Sequence, residues 1–254
     1  MADHYNNGRV FLAGDAVHLF SPTGGFGMNT GVSDVMDLAW KLEAALCGWA
    51  GPRLLDSYEK ERRPVGIRNT REAADCFDRL FAVMQEGDVL DEESPTGDEA
   101  RRHLKKLIVR QEKLIVSSGT LLGYRYEGSD IIVPDATPEP TDHPRIYIPT
   151  ARPGHRTPHV WLQDGRSILD LFINGFTLLV MVQADCNQNG AIGEFTKAAE
   201  DIGMPLSIAV VEDHAAHRMY EAPLTLIRPD LMVAWRGTQY EGNVANILNI
   251  VRGA

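Results

Sequence analysis

A loop with three glycines joins a strand-like apolar run to a helical pattern near the start of the chain, and this arrangement limits the possible folds. The apolar run Val10 to Ala13 has the length and flanks of a buried strand, and it ends at Gly14 and Asp15. After the glycine loop, apolar residues recur at helical spacing, at Val32, Val35, Ala39, Leu42 and Leu46. The sequence therefore predicts a carboxylate where a strand ends, and then a helix N-terminus whose free N–H groups and dipole favour negative charge.

Each part of this stretch also has a simpler structural explanation. Asp15 could end the strand and cap the turn, and the glycines could only supply positive φ in a surface loop. His18 is expected to be a packed, hydrogen-bonded residue, because nothing near it in sequence looks like a catalytic partner.

The order of the whole stretch is more informative than its parts. It contains Gly14-Asp15-Ala16-Val17-His18, then Pro22, then Gly24-Gly25-Phe26-Gly27-Met28-Asn29, then Asp37-Leu38-Ala39-Trp40-Lys41-Leu42. In this order the residues resemble the second flavin-binding motif of the FAD-dependent aromatic hydroxylases. These are single-component flavoprotein monooxygenases that act on phenols and aromatic polyketides.

The resemblance implies roles for particular residues. Asp15 would bond a ribityl hydroxyl, and Pro22 would lie beside the reactive edge of the isoalloxazine. The backbone N–H groups of Met28 and Asn29 would face the flavin pyrimidine and stabilise the charge that gathers there on reduction. The positions expected to bind cofactor are Gly14, Asp15, Pro22, Gly25, Gly27, Met28 and Asn29. The resemblance names no catalytic acid or base, and no metal site is expected.

The implied activity is the hydroxylation of a small phenol or polyketide ring by FAD, with NAD(P)H as reductant and a flavin C4a-hydroperoxide as oxidant. In the family, however, this stretch lies past the middle of the catalytic domain, and no GxGxxG fingerprint for the FAD pyrophosphate occurs in this sequence. Two interpretations follow. The chain is such a monooxygenase, or the C-terminal half of one that needs a second chain. Alternatively, it is a non-redox module that binds a small molecule or a partner chain without FAD.

Composition narrows the range of partners. The chain of 254 residues has a net charge of −10 and no run of Lys or Arg longer than two, which argues against nucleic acid and anionic membrane surfaces. No apolar stretch of spanning length and no signal peptide is found. The three cysteines have no paired spacing, which suggests neither a disulfide framework nor a zinc site and is consistent with the cytoplasm.

Further helix is expected from Arg53 to Phe81, with an interruption at Pro64. Within it, Arg62 and Arg63 are expected to join helices through carboxylates such as Glu59 or Glu61, with phosphate binding as the less favoured alternative. Residues 85–101 are acidic and turn-rich, and they predict an exposed loop. Tyr124 and Tyr126 are interpreted as packing aromatics.

The fold class predicted is α/β, with part of an FAD-binding domain at residues 1–133, a linker at 134–149 and a second domain at 150–254. The linker holds five of the 14 prolines. The second domain combines strands at 176–182 and 206–211 with a helix at 191–202, a hairpin from strands 224–227 and 232–235, and a helix at 244–251. This order resembles the thioredoxin-like domain that ends many of these hydroxylases, and a structural or dimer-forming role is expected of it.

Two motifs in this half are expected to be structural. Thioredoxin chemistry needs a second thiol, and Cys186 has no neighbouring cysteine, so it is interpreted as a bystander. His155 and His159 are four residues apart, which is the spacing of a helical metal pair. Proline and glycine between and beside them argue against a helix, so both histidines are assigned structural roles.

Overall fold

The computed structural model describes residues 1–85, 89–110, 116–173, 175–182, 188–238, 240 and 242–254. These residues form two compact units. Unit 1 comprises Met1–Asp34, Pro64–Gly123 and Asp142–Tyr147, and unit 2 comprises Val35–Arg63, Tyr124–Thr141 and Ile148–Ala254. The predicted domains follow a different division, and their independence stays a prediction.

Helices and strands alternate in the second half of the chain, whereas helices dominate the first half. The strands are β1 (Asn6–Asn7), β2 (Val10–Phe11), β3 (Phe176–Met181), β4 (Leu206–Val211), β5 (Leu224–Ile227) and β6 (Val233–Gly237). The helices are α1 (Phe26–Cys47), α2 (Ser57–Met84), α3 (Pro95–Arg110), α4 (Ser118–Leu122), α5 (Gln188–Asp201), α6 (His214–Tyr220) and α7 (Val244–Val251). Among the described residues, no helix combines the length and the hydropathy needed to cross a membrane.

Unit 2 is built around a four-stranded sheet with the strand order β4-β3-β5-β6. β3 runs parallel to β4 and antiparallel to β5, and β5 and β6 form an antiparallel hairpin. Helices α5 and α6 make the two connections that precede β5, and α7 follows β6. This order and these directions are those of a thioredoxin-like domain, so the predicted α/β class is confirmed.

The central strand β3 is buried on both faces, because its side chains alternate between two cores. Phe176, Leu178 and Val180 point into the first core, which also contains Trp40 and Trp49. Leu179 and Met181 point into the second core. A strand buried on both faces needs a continuous apolar sequence, and the run 176–181 supplies it.

Helix α1 does not bury the apolar residues that predicted it. Val32 is 56% exposed and Leu46 is 87% exposed, whereas Asp34, Asp37 and Lys41 are fully buried. The helix also begins earlier than the apolar pattern suggests, at Phe26, so Gly27 lies inside its first turn. Helical periodicity identifies an apolar face, but it does not tell which face has neighbours.

Three other predictions in the first half are corrected. The run Val10 to Ala13 is not a buried strand: only Val10 and Phe11 are in strand, paired with β1, and Val10 is 62% exposed. α2 continues through Pro64, which is exposed, so water can solvate the carbonyl that loses its N–H partner. The predicted loop at 85–101 contains the start of α3, where the Ser94 side chain accepts the Gly97 N–H at 3.1 Å.

In the second half the linker is irregular as predicted, and α6 is the helix that the sequence did not predict. Its N-cap Asp213 accepts the N–H groups of Ala215 and Ala216. The helix has only seven residues, too few for periodicity to identify it.

Candidate functional site

The predicted cofactor segment forms a tight turn held against α1. Gly14 begins a single 3-10 turn with φ +60°, and its carbonyl accepts the N–H groups of Val17 at 3.0 Å and His18 at 3.1 Å. A Cβ added to Gly31 would lie only 3.1 Å from the Gly14 Cα. The backbone at the turn and the second turn of α1 are therefore in direct contact, which glycine at both positions permits.

The first turn of α1 is fixed by contacts with α2 inside unit 1. Phe26 is buried in a small core with Ala73 and Cys76. The Thr23 hydroxyl donates to the Ala73 carbonyl at 2.8 Å, and the Asn69 amide donates to the Thr30 hydroxyl at 3.0 Å. These contacts hold the start of α1 in place without using its outer surface.

The positions predicted to bind cofactor lie together on this turn and helix start. Those that are exposed are Asp15, Pro22, Gly25, Met28 and Asn29, and the half-buried ones are Gly14 and Gly27. The Asn29 side chain donates to the Gly25 carbonyl at 2.8 Å, so it ties the first turn of α1 to the glycine loop before it. The assignment of these residues to flavin stays a prediction.

The arrangement fits the ring and ribityl end of FAD. Asp15 offers an exposed carboxylate, which accepts hydrogen bonds from hydroxyl groups. The first N–H groups of α1 have no helical partner, and they favour negative charge. A Cβ added to Gly25 would meet no atom within 4 Å, so the space beside the helix start is open.

A second group of charged side chains, buried or nearly buried in unit 2, was not predicted. Arg228, in the turn of the β5–β6 hairpin, makes a bidentate pair with Glu61 at 2.7 and 2.9 Å. It also contacts Asp37 at 2.8 Å and Asp230 at 2.6 Å. Lys41 bonds Asp37 at 2.8 Å and Glu61 at 2.6 Å. We call these five residues the ionic cluster.

The ionic cluster shifts the pKa values of its members in different directions. Burial opposes ionisation of Glu61, but Arg228 and Lys41 hold the pKa of Glu61 well below its usual range. Burial raises the pKa of Asp37 well above its usual value, and Lys41 only partly offsets this effect. Burial alone would lower the pKa of Arg228, but the carboxylates of Asp230 and Glu61 outweigh this effect and raise the pKa well above its usual value. The cluster binds α1 and α2 to the hairpin within unit 2.

The remaining candidates occupy structural positions. Arg62 is buried, with its guanidinium over the rings of Tyr124 at 5.2 Å and Tyr126 at 6.0 Å. Both tyrosines thus pack against Arg62, which also donates a hydrogen bond to the Tyr126 hydroxyl at 3.3 Å. Arg62 and Arg63 were expected to pair with carboxylates such as Glu59 or Glu61. Glu61 is held by Lys41 and Arg228, and pairing with Glu59 stays a prediction.

His155 and His159 lie outside any helix. His155 is buried near Glu139, with 3.4 Å between Nε2 and a carboxylate oxygen, and burial lowers its pKa. His159 packs against Trp161. Within the described ranges, no group of three or more His, Cys, Asp or Glu side chains could hold a metal ion. Cys186 lies outside the described residues.

One sequence signal could have revealed the missed residues. Asp34, Asp37 and Lys41 are spaced by three and four residues, so they share one face of α1. In the sequence alone, however, a charged helix face opposite an apolar face is normally interpreted as exposed to solvent. The burial of this face depends on partners elsewhere in the chain: His18 for Asp34, Arg228 for Asp37 and Glu61 for Lys41.

Two families match parts of this chain. Residues 1–73 match the family described as FAD binding domain. Residues 150–253 match the family described as aromatic-ring hydroxylase, C-terminal.

Curated relatives have similar descriptions. The FAD-dependent monooxygenase apdD of Emericella nidulans is 39% identical over 239 residues, covering 90% of this chain and 38% of the relative. The tetracenomycin A2 monooxygenase-dioxygenase of Streptomyces glaucescens is 37% identical over 247 residues, covering 92% of this chain and 39% of the relative. This chain thus spans less than half the length of these relatives.

Solved structures of flavin enzymes are also similar to this chain. The flavin-dependent monooxygenase PieE, in complex with FAD and substrate, matches with a TM-score of 0.86 at 32% identity, covering 99% of this chain and 48% of PieE. The rebeccamycin biosynthetic enzyme RebC with reduced flavin matches with a TM-score of 0.85 at 38% identity, covering 99% of this chain and 46% of RebC.

Proposed function

We propose that this chain, whose residues 1–73 match an FAD binding domain and whose residues 150–253 match the C-terminal part of aromatic-ring hydroxylases, forms the ring-binding part of an FAD-dependent monooxygenase acting on a phenol or polyketide. The observation that carries the proposal is the contact of Gly14 with Gly31. It brings the turn that carries the exposed Asp15 against the second turn of α1. The relatives favour this interpretation over a non-redox module.

The proposed roles of the residues are those of binding and orientation. Asp15 accepts a hydrogen bond from a ribityl hydroxyl, and Pro22 lies beside the ring edge. The N–H groups of Met28 and Asn29 face the pyrimidine, where the helix dipole stabilises negative charge. Bound FAD would supply the oxygen chemistry, and NAD(P)H would supply the electrons.

We further propose that a polypeptide carrying the fingerprint binds the adenosine and diphosphate of FAD. The chain holds no GxGxxG fingerprint, and FAD without those contacts should bind at least about a thousandfold more weakly. Large apolar side chains on α1 are also exposed and could contact such a polypeptide: Met28, Val32, Val35, Met36 and Leu46. A homodimer formed through the second domain and a cytoplasmic location remain predictions.

The test is the affinity for FAD, measured by the quenching of flavin fluorescence. The chain is titrated alone and with a polypeptide that carries the fingerprint. Asp15→Ala should weaken binding roughly 10- to 100-fold, which corresponds to the loss of one hydrogen bond to a charged group. Asp91→Ala is the control, since Asp91 is an exposed carboxylate of the same unit. The proposal fails if FAD binds neither to the chain alone nor to the chain with the second polypeptide. The site is misassigned if Asp15→Ala, like Asp91→Ala, binds FAD as the wild type does.

A further inference from the structure

One buried carboxylate holds both ends of the turn that presents Asp15. The Oδ2 atom of Asp34 accepts the Gly14 N–H at 3.2 Å and the His18 Nε2 at 2.6 Å. Asp34 is 0% exposed and His18 is 1% exposed, and all of these residues belong to unit 1. Water cannot replace the fully buried bond between His18 and Asp34, so losing its donor weakens the hydrogen bonding of a buried carboxylate.

The two donors bracket the turn. Gly14 is its first residue, and His18 follows directly after its closing hydrogen bonds. Asp15 lies between them with its side chain exposed. The backbone of the turn that carries Asp15 is therefore held by two attachments to α1, neither of which involves Asp15.

We propose that Asp34 and His18 are a positioning pair for Asp15. This inference rests on the function proposed above, because Asp15 is there assigned to the ribityl chain. Neither member of the pair touches the cofactor. Their effect on its binding passes through the orientation of the turn.

The surroundings of His18 suggest substitutions that separate its hydrogen bond from its packing. Its ring meets Phe20 edge to face at 4.9 Å and lies 6.4 Å from the ring of Tyr5. Its Nδ1 has no hydrogen-bond partner among the described residues, so the imidazole acts here as a single donor from Nε2. Gln has an N–H group that can reach a similar position. Phe keeps an aromatic ring but has no donor.

The first experiment needs no cofactor and measures amide hydrogen exchange in residues 10–20 of the full chain. We expect His18→Phe and Asp34→Asn to speed exchange at Gly14 and His18 about tenfold or more, and His18→Gln to stay near the wild-type rate. Ser33→Ala, which removes only an exposed bond on α1, is the matched control. Unchanged protection in residues 70–80 of α2, which belong to the same unit as the turn, shows that each variant is folded. Equal rates in His18→Phe and the wild type, or equal losses in His18→Gln and His18→Phe, would overturn the proposal.

The second experiment is a double-mutant cycle on FAD affinity. His18→Phe should weaken binding about tenfold when Asp15 is present and have no effect in an Asp15→Ala background. Losses that simply multiply would refute action through Asp15, because a general structural defect does not depend on that carboxylate. If Asp15→Ala alone leaves affinity unchanged, the assignment of Asp15 to the ribityl chain fails. The exchange experiment then still decides whether the pair positions the turn.

Discussion

At the scale of single residues, two glycines of α1 have different neighbours, and this difference can be measured. A Cβ at Gly31 would lie 3.1 Å from the backbone of Gly14, whereas one at Gly27 would lie 3.5 Å or more from the Phe20 side chain. Alanine in a helix is favoured over glycine by about 1 kcal/mol. Gly27→Ala should gain part of this amount, and Gly31→Ala should lose stability because the turn must move. Urea unfolding of both variants checks this, and equal gains would show that the contact at Gly31 is not tight.

Two carboxylates of the ionic cluster should contribute opposite signs to the dependence of stability on pH. The pKa of Glu61 is lowered on folding, so its stabilisation is present above about pH 4.3 and is lost as the pH falls. The pKa of Asp37 is raised, so its contribution falls as the pH rises above about 3.9.

We therefore expect Glu61→Gln to flatten the rise of the unfolding free energy between about pH 3 and pH 4.3, relative to the wild type. Asp37→Asn should instead make that free energy rise more steeply above about pH 4. Urea unfolding at a series of pH values measures both slopes. Glu93→Gln, at an exposed position, is the control. Parallel profiles for all proteins would contradict the assignment of signs.

Single residues were predictable where local chemistry decides their role. Gly14 and Asp15 are expected at a turn from their sequence alone, and the structure has them there. The bond between His18 and Asp34 spans 16 residues and joins a turn to a helix. No local pattern specifies such a partner.

At the scale of helices and strands, the ionic cluster explains how α1 buries a charged face. Taking ions out of water is costly, and only multiple good contacts offset that cost. Arg228 provides these contacts because it reaches Glu61, Asp37 and Asp230 at once. The same guanidinium lies 5.0 Å from the Trp40 ring, which adds a cation–π contact.

Replacing Arg228 should therefore destabilise the chain strongly. Arg228→Met leaves Glu61 and Asp37 with Lys41 as their only cation in the cluster, and breaking such a buried pair costs about 3–5 kcal/mol. Arg166→Met is the control, since Arg166 pairs with Asp164 at the surface and its loss should leave stability close to that of the wild type. Denaturant unfolding compares the two variants. A loss below about 1 kcal/mol for Arg228→Met would show that the cluster is not a main source of stability.

The elements of the second half were predicted well, because a strand such as β3 is apolar throughout and is bounded by turn signals. Helix α1 was predicted as a helix, but its buried face was not. Its neighbours come from α2 and the β5–β6 hairpin, and their positions depend on the tertiary fold.

At the scale of the whole molecule, the family and its cofactor were predictable from the order of a few residues. The glycine–aspartate turn, proline, glycine loop and helix follow one another in the chain. The matches at residues 1–73 and 150–253 confirm the resemblance to FAD-dependent aromatic hydroxylases. The division into compact units was harder to predict. A proline-rich stretch indicates where the chain is extended, but it does not tell which distant segments pack together. Unit 2 combines Val35–Arg63 with residues beyond that stretch.

The core of unit 2 predicts what happens when the chain is cut at the proline-rich stretch. Trp40 stacks on Trp49 at 6.3 Å, and both meet Phe176 edge to face at 5.6 and 6.2 Å. A cut at 134–149 separates the two tryptophans from Phe176. Losing one such buried ring costs about 3–5 kcal/mol, a large share of the roughly 5–15 kcal/mol that stabilises a domain.

We expect that fragments 1–133 and 150–254, made separately, each unfold without a cooperative transition, and that mixing them restores one. Circular dichroism during urea titration measures this. A chain cut between Glu92 and Glu93, which are exposed and belong to unit 1, is the matched control and should stay cooperative. Cooperative unfolding of 150–254 alone, at the midpoint of the intact chain, would instead support the boundary that the prolines suggest. In that case the aromatic contacts with Trp40 and Trp49 would add little to the stability of the thioredoxin-like sheet.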